Sequence, residues 1–278
     1  MADAEGREVA VVGGGPAGAA TAVFTARAGL DTAVFDRGRS SLRQCAHLEN
    51  YPGFPAGIDV ETFYDLLHDH LETAGADLLA EMVTGVERAD GGFRVETGEG
   101  RVVHARRVVA ATRYDGEYLR GLDDEDAMFV ESDGESYFDR SYADPDGTTP
   151  VEGLYVASPA DPTSQQAIMA AGRGARVGRV VAGDARREAG YPDPFAERVD
   201  WLRRESARGG DERAHWREYW DENAPDDADE ALREAEIEDR LDRYVTDADI
   251  ERRRRAAHER ILDHLDNDLI RAYLDERV

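Results

Sequence analysis

An apolar run, Val9 to Val12, leads directly into Gly13-Gly14-Gly15-Pro16-Ala17-Gly18 and then into an alanine-rich stretch. This pattern constrains the fold strongly, because each glycine at this spacing answers a separate steric demand. Gly13 permits a tight turn out of a strand, Gly15 lets a pyrophosphate approach the backbone, and Gly18 allows close helix–strand packing. The helix that follows offers unpaired N–H groups and the positive end of its dipole to phosphate. A second apolar run, Thr32 to Phe35, ends in Asp36, about 20 residues beyond the turn, where an acid meets ribose hydroxyls in this arrangement. The spacing predicts dinucleotide binding; the plainer alternative is a glycine-rich turn in some other α/β protein.

With 278 residues the chain can hold one large domain or two small ones. Its formal charge is −26, and all 34 basic residues are arginine. Acids spread along the whole chain suit the solvated surface of a halophilic protein, and they oppose general binding to nucleic acid. Val9 to Ala26 carries no charge, yet the residues before it are acidic rather than basic, and Gly13 to Pro16 would interrupt a spanning helix. The expected location is therefore cytoplasmic. Cys45 is the sole cysteine, so no intramolecular disulfide can form.

Strands are expected at Val9–Val12, Thr32–Phe35, Gly92–Thr97, Arg101–His104, Arg107–Thr112 and Gly153–Ala157, and helices at Ala17–Ala28, Asp59–Ala74 and from Ser164 to about Gly183. Asp123 to Gly147 reads as acidic and turn-rich, with no apolar period. Gly190-Tyr191-Pro192-Asp193-Pro194 reads as a linker. Helical composition follows, at Phe195–Arg208, Asp211–Asn223 and Glu230–Tyr244. A last helix opens on a capping box at Thr246–Asp249, with Ile250, Ala257, Ile261, Leu265, Leu269 and Tyr273 on its apolar face. Trp216, Tyr219 and Trp220 form a stripe suited either to packing these helices onto the preceding α/β domain or to forming a lid over a bound cofactor. The expected fold is α/β: a Rossmann-type parallel sheet with a β-ribbon excursion over residues 1–189, then an all-α extension over 190–278.

Four segments, in order, resemble the thioredoxin reductase-like flavoproteins of the pyridine nucleotide-disulfide reductase class. They are the glycine turn, Glu49-Asn50-Tyr51-Pro52-Gly53-Phe54-Pro55, Val108-Val109-Ala110-Ala111-Thr112, and Gly153 to Ala157 followed by Gln166 to Gly172. The resemblance implies FAD, with its ADP half on Gly13, Gly15, Gly18 and Asp36, Asn50 near the ribityl–flavin region, and Gln166 and Ala167 at the pyrimidine edge of the ring. Pro16, Ala17, Arg37 and Thr112 complete the implied set. A helix start near Gln166 would also stabilise negative charge on that edge of the ring. Asp36 would repel a 2′-phosphate, which disfavours an NADP-type nucleotide here.

The chain also departs from the family pattern. Only Arg113 to Glu152 separates the third and fourth segments, where full-length relatives carry a second nucleotide domain and a Cys-x-x-Cys. The third motif ends Thr112-Arg113 without its usual glycine. Ser158-Pro159 stands where the family has Gly-Asp, leaving Asp161 as a substitute acid. Ser40-Ser41-Leu42-Arg43 occupies the place of a Gly-Gly-Gln.

No catalytic residue is assigned. Cys45 reads either as an inert thiol or as one beside the flavin, and His47 either as polar surface or as a proton donor to reduced flavin. His68 and His70, two apart on a helix, cannot share a metal, and no metal site is expected. Arg252 to Arg255 reads as a salt-bridged helix face, with docking to an acidic partner as the alternative. Two functions follow. One is an FAD-dependent oxidoreductase passing hydride or electrons without a dithiol, fed by NAD(P)H or a protein donor. The other is a flavin-binding electron-relay or interaction protein with no small-molecule turnover. A homodimer is compatible with either.

Overall fold

The computed structural model describes residues 5–113, 116–132, 134–159, 165–197 and 200–277. The chain divides into two compact units, Met1–Ala182 and Gly183–Val278.

The first unit opens β1 (Glu5–Val12), α1 (Pro16–Arg27), β2 (Thr32–Phe35), α2 (Val60–Thr73), β3 (Asp77–Leu79), β4 (Val83–Ala89), β5 (Gly92–Thr97) and β6 (Val102–Ala110). It continues with α3 (Glu125–Met128), β7 (Phe129–Ser132), β8 (Glu135–Phe138), β9 (Leu154–Val156) and α4 (Ala167–Glu188). Among the described residues seven strands form one sheet, ordered β3-β2-β1-β6-β5-β4, with β9 also on β6. The β1, β2, β3, β6 and β9 pairings are parallel, whereas β4-β5 and β5-β6 are antiparallel. This is the parallel Rossmann-type sheet with a β-ribbon excursion.

β1 is apolar without alternation because both of its faces are covered. Val9, Val11, Val34 and Val109 pack with Ala19, Ala22, Val177 and Val181 on one side, while Ala10, Val12, Phe35 and Val108 join Phe93, Val95 and Leu154 on the other. The close approach of α4 to α1 needs glycine. A Cβ on Gly174 would stand 2.0 Å from the Ala17 carbonyl oxygen, and the Thr21 hydroxyl donates to the Gly174 carbonyl at 3.0 Å.

Two expectations for this unit change. The strands expected at Arg101–His104 and Arg107–Thr112 are one strand, β6. Its first half alternates, with Val103 and Ala105 buried and His104 and Arg106 exposed, as suits pairing with β5. Its second half is buried throughout and pairs with β9. The charged pair Arg106-Arg107 does not interrupt the strand, since Arg106 is exposed and Arg107 lies buried within the sheet. The segment at Asp123 to Gly147, read as acidic and turn-rich with no apolar period, contains the β7–β8 hairpin. Met128 and Phe129 from it join Tyr118, Leu119 and Leu122 in the core.

The second unit contains the end of α4, α5 (Asp193–Ala196), β10 (Arg203–Arg204), α6 (Glu212–Asn223), α7 (Glu230–Leu241), β11 (Tyr244–Val245), α8 (Asp247–Asp263) and α9 (Asn267–Asp275). Among the described residues the helix expected over Phe195–Arg208 is present only at Phe195–Ala196, the end of α5. Arg203 and Arg204 instead pair in parallel with Tyr244 and Val245, a tertiary contact that overrides local helical preference. The final helix is interrupted, because Asp266 caps a new one by accepting from the Asp268 N–H at 2.7 Å. The capping box at Thr246 and Asp249 is present.

Trp216 and Trp220 are buried within this unit, the latter with its ring centroid 4.2 Å from that of Phe195. Glu236, 2% exposed, is held by Arg186 and by Arg240 at 2.7 Å. By contrast Ile261, Leu265, Leu269 and Tyr273, expected on a packed apolar face, are exposed. Arg252, Arg254 and Arg255 pair with Asp249, Glu251 and Glu259 along α8. No described helix is long and apolar enough to cross a membrane.

Candidate functional site

The turn after β1 is built by backbone contacts that leave no room for side chains. The Gly13 N–H donates to the Phe35 carbonyl at 2.8 Å, and Gly13 adopts φ 111°. A Cβ there would stand 2.8 Å from the Ala111 carbonyl oxygen, and one on Gly18 only 1.7 Å from the Gly13 carbonyl oxygen. Gly15 differs. The nearest atom to its hypothetical Cβ is Ser40 Oγ at 3.3 Å, and the residue borders a cavity of about 670 Å³. Gly15 is thus open on the cavity side, while Gly13 and Gly18 are closed by the fold. Pro16 and Ala17 begin α1 at the cavity wall. The first N–H groups of a helix lack intrahelical acceptors, so this wall favours an anion.

Asp36, at the end of β2, is 8% exposed. Its Oδ1 accepts from the Gly38 N–H at 2.9 Å, and its Oδ2 lies 3.2 Å from His68 Nε2 on α2. The same His68 nitrogen is 3.2 Å from the Gly14 carbonyl oxygen. Burial alone would raise the Asp36 carboxyl. The hydrogen bonds from His68 and Gly38, with the charges of His68 and Arg43, outweigh it and hold the carboxyl below its usual range. Burial would likewise lower His68, but Asp36 and the Gly14 carbonyl raise it above its usual value. Asp36 therefore stays ionised.

At the other end of the cavity, Asn50 Nδ2 donates to Gln166 Oε1 at 2.7 Å, joining two residues 116 positions apart. Arg113 donates to Gln165, and the Ser158 hydroxyl donates to the Thr112 carbonyl at 2.5 Å. Ser158 thus ties the ends of β6 and β9 together. Ala167 opens α4, so a second helix N-terminus borders the cavity.

Gly13, Gly15, Pro16, Ala17, Asp36, Arg37, Asn50, Thr112, Gln166 and Ala167 all line this one cavity. Gly18 lies behind it, at the turn. Asp161 falls outside the described residues. Cys45 and His47 also line the cavity; the thiol donates to the His47 carbonyl at 3.1 Å, and His47 Nε2 sits 3.2 Å from the Ala56 carbonyl oxygen. Both are engaged by backbone. Among the described residues no cluster of three or more His, Cys, Asp or Glu side chains has a metal-binding arrangement.

Tyr64, His68 and Ser40 were not expected here. Tyr64 and His68 are four apart on α2 and so share a face. That spacing was visible in the sequence, but nothing there shows that the face meets the end of β2.

The residues present fit a dinucleotide. The cavity lies within the roughly 300–1,000 Å³ usual for cofactor sites. Gly15 leaves a backbone approach open beside a helix N-terminus, and an ionised, buried carboxylate stands at the end of the second strand, its Oδ2 facing the His68 ring at 3.2 Å.

Residues 7–119 match the pyridine nucleotide-disulphide oxidoreductase family. The chain is 33% identical over 125 residues to a thioredoxin reductase from Streptomyces coelicolor, a match covering 44% of this chain and 38% of that protein. It is 37% identical over 116 residues to the bifunctional thioredoxin reductase/thioredoxin of Mycobacterium leprae, covering 41% and 25%. The matches thus span well under half the length of these relatives. Among solved structures, a thioredoxin reductase from Gloeobacter violaceus superposes with TM-score 0.55 at 18% identity, covering 70% of this chain and 98% of the other. An atypical thioredoxin reductase from Desulfovibrio vulgaris Hildenborough gives 0.53 at 19%, covering 66% and 100%.

Proposed function

We propose that this cavity binds FAD and that the protein is a flavin-dependent oxidoreductase, a reading supported by the likeness of residues 7–119 to the pyridine nucleotide-disulphide oxidoreductases and by the similarity to thioredoxin reductases. The observation that carries this reading is the convergence of the glycine turn, Asp36 and the Asn50–Gln166 pair on one cavity. In this reading Gly13, Gly15 and the start of α1 receive the diphosphate, and Asp36 accepts from ribose hydroxyls. Asn50, linked to Gln166, and the start of α4 border the ring. When bound, FAD supplies hydride and single-electron transfer. The protein's part is to orient the ring, favour negative charge at its edge through the α4 N-terminus, and exclude the alternatives to productive transfer.

The lone cysteine means that no dithiol relay operates within this chain, so electrons enter from NAD(P)H or a protein donor. A flavin domain through about residue 189 and a helical extension beyond it belong to the same proposal, as do the cytoplasmic location and an acidic, halophilic surface. The β7–β8 hairpin between β6 and β9 favours one alternative, electron relay to a docked protein without small-molecule turnover.

The test begins with the small molecule released on denaturing the purified protein. The expected result is the mass and absorbance of FAD. Anaerobic NADH or NADPH should then bleach the visible flavin band. Release of no flavin, together with failure to take up added FAD, would overturn the reading; bound FAD that neither nucleotide reduces would favour the relay.

A further inference from the structure

The Tyr64 hydroxyl is a buried polar group with no hydrogen-bond partner in the protein, on a residue that is 1% exposed and lines the cavity. It lies 3.8 Å from where a Cβ on Gly15 would stand, so it faces the open side of the turn. Ser40 and Asp36 are close by, but neither meets it with hydrogen-bond geometry. A buried donor without an acceptor is costly and uncommon in folded proteins. Here the ring is also fixed in place: His68 packs edge-on with centroids 4.8 Å apart, and the Arg43 guanidinium lies 5.1 Å over its centre. The hydroxyl is thus held at the place where the first N–H groups of α1 already favour an anion.

We infer that Tyr64 donates its hydroxyl hydrogen to the diphosphate of the dinucleotide held at the Gly13–Gly18 turn, making α2 a second wall of the anion site. The inference rests on the dinucleotide reading above. The donor–acceptor pattern specifies the partner. Asp36, an ionised acceptor, suits the ribose hydroxyls, while a phenol with its proton suits an anionic oxygen. The phenol keeps that proton, since burial and the negative charge of Asp36 push its pKa up to about 12.

Tyr64→Phe removes the hydroxyl and keeps the ring, so the fold survives. Affinities of wild type and variant would be measured by calorimetry for FAD, ADP and riboflavin, with thermal midpoints recorded for each protein alone and with ADP. Expected is a loss of roughly tenfold to a hundredfold for both FAD and ADP, as for one hydrogen bond to a charged acceptor. Riboflavin, which has no phosphate, should bind the two proteins equally. The ligand-free variant should melt at or above the wild-type temperature, because it no longer buries an unpaired donor, while its gain on adding ADP should shrink. A merely structural tyrosine would lower the ligand-free midpoint instead. Equal binding of ADP by both proteins, or equal weakening of riboflavin, would overturn the role of Tyr64. Wild-type protein that takes up neither FAD nor ADP would overturn the dinucleotide reading itself.

Discussion

The two units hold themselves together by different means. In Met1–Ala182 the centre is a sheet whose strands β1, β2 and β6 are apolar on both faces, closed by backbone contacts at Gly13, Gly18 and Gly174. In Gly183–Val278 the buried apolar set is small, chiefly Phe195, Trp216, Trp220 and Ile237, and arginine–carboxylate pairs surround it. Close packing tolerates no added atom, whereas exposed ion pairs respond to solvent and give little stability individually. The first unit should therefore be sensitive to shape and the second to charge. The chain carries its own reporter for the contrast, because all three tryptophans, Trp201, Trp216 and Trp220, lie in the second unit.

The strongest challenge to this contrast is Gly18→Val. Its Cβ would meet the Gly13 carbonyl at a distance no rotamer relieves. We expect a loss of about 3 kcal/mol or more from the first unit, with FAD uptake abolished. Far-UV circular dichroism in urea should show an early transition; an unchanged unfolding curve would mean that the turn is far more yielding than the packing indicates.

Glu236→Ala is the counterpart in the second unit. Removing a buried carboxylate leaves Arg186 and Arg240 without their shared partner, at a cost of about 3 kcal/mol. Tryptophan fluorescence should report an earlier midpoint. Glu236→Gln should recover part of the loss, since its amide oxygen still accepts. If the glutamine variant matched alanine, charge rather than hydrogen bonding would account for the whole effect.

A smaller effect comes from pH and concerns the first unit. Asp36 is held below its ordinary 3.8, so its contribution is complete above that value and is lost as pH falls through the lowered one. His68 is held above its ordinary 6.5, so its contribution is complete below 6.5 and is lost as pH rises through the raised value. The pair therefore stabilises fully between about pH 3.8 and 6.5. The alkaline decline should disappear in His68→Gln, while the decline due to other carboxylates at low pH remains. Unfolding midpoints followed across pH for both proteins would expose any discrepancy.

Arg255→Ala should do least. Its pair with Glu259 lies on the exposed face of α8, so we expect a tryptophan-monitored midpoint within experimental error of wild type at moderate salt. A clear shift would show that the arginine block acts as a network.

The glycine turn, the flanking strands β1 and β2, the helix α2 and the cap of α8 were legible because each depends on residues close in sequence. Asp59 and Thr246 cap their helices through N–H groups three residues on, and Gly13 and Gly18 meet one another five residues apart. The single strand β6, the β7–β8 hairpin and the early end of the helix expected over Phe195–Arg208 were not legible. Arg107 can be buried only because a sheet encloses it, and Arg203 leaves the helical conformation because β11 offers it a partner some 40 residues away. The same division runs through the candidate site. Gly15 and Asp36 could be named from spacing, but Tyr64 and His68 could not.

What the linear chain determined by itself was therefore the anion-facing turn, the acid that follows it and the helical composition of the second half. These depend on local backbone sterics and on periodicity, both of which are properties of neighbouring residues. Tertiary structure alone decided that α2 meets the end of β2, that Asn50 reaches Gln166, and that a tyrosine hydroxyl is left unpaired beside Gly15. Those contacts join residues tens of positions apart, and burial of apolar surface on both faces of the sheet brings them together.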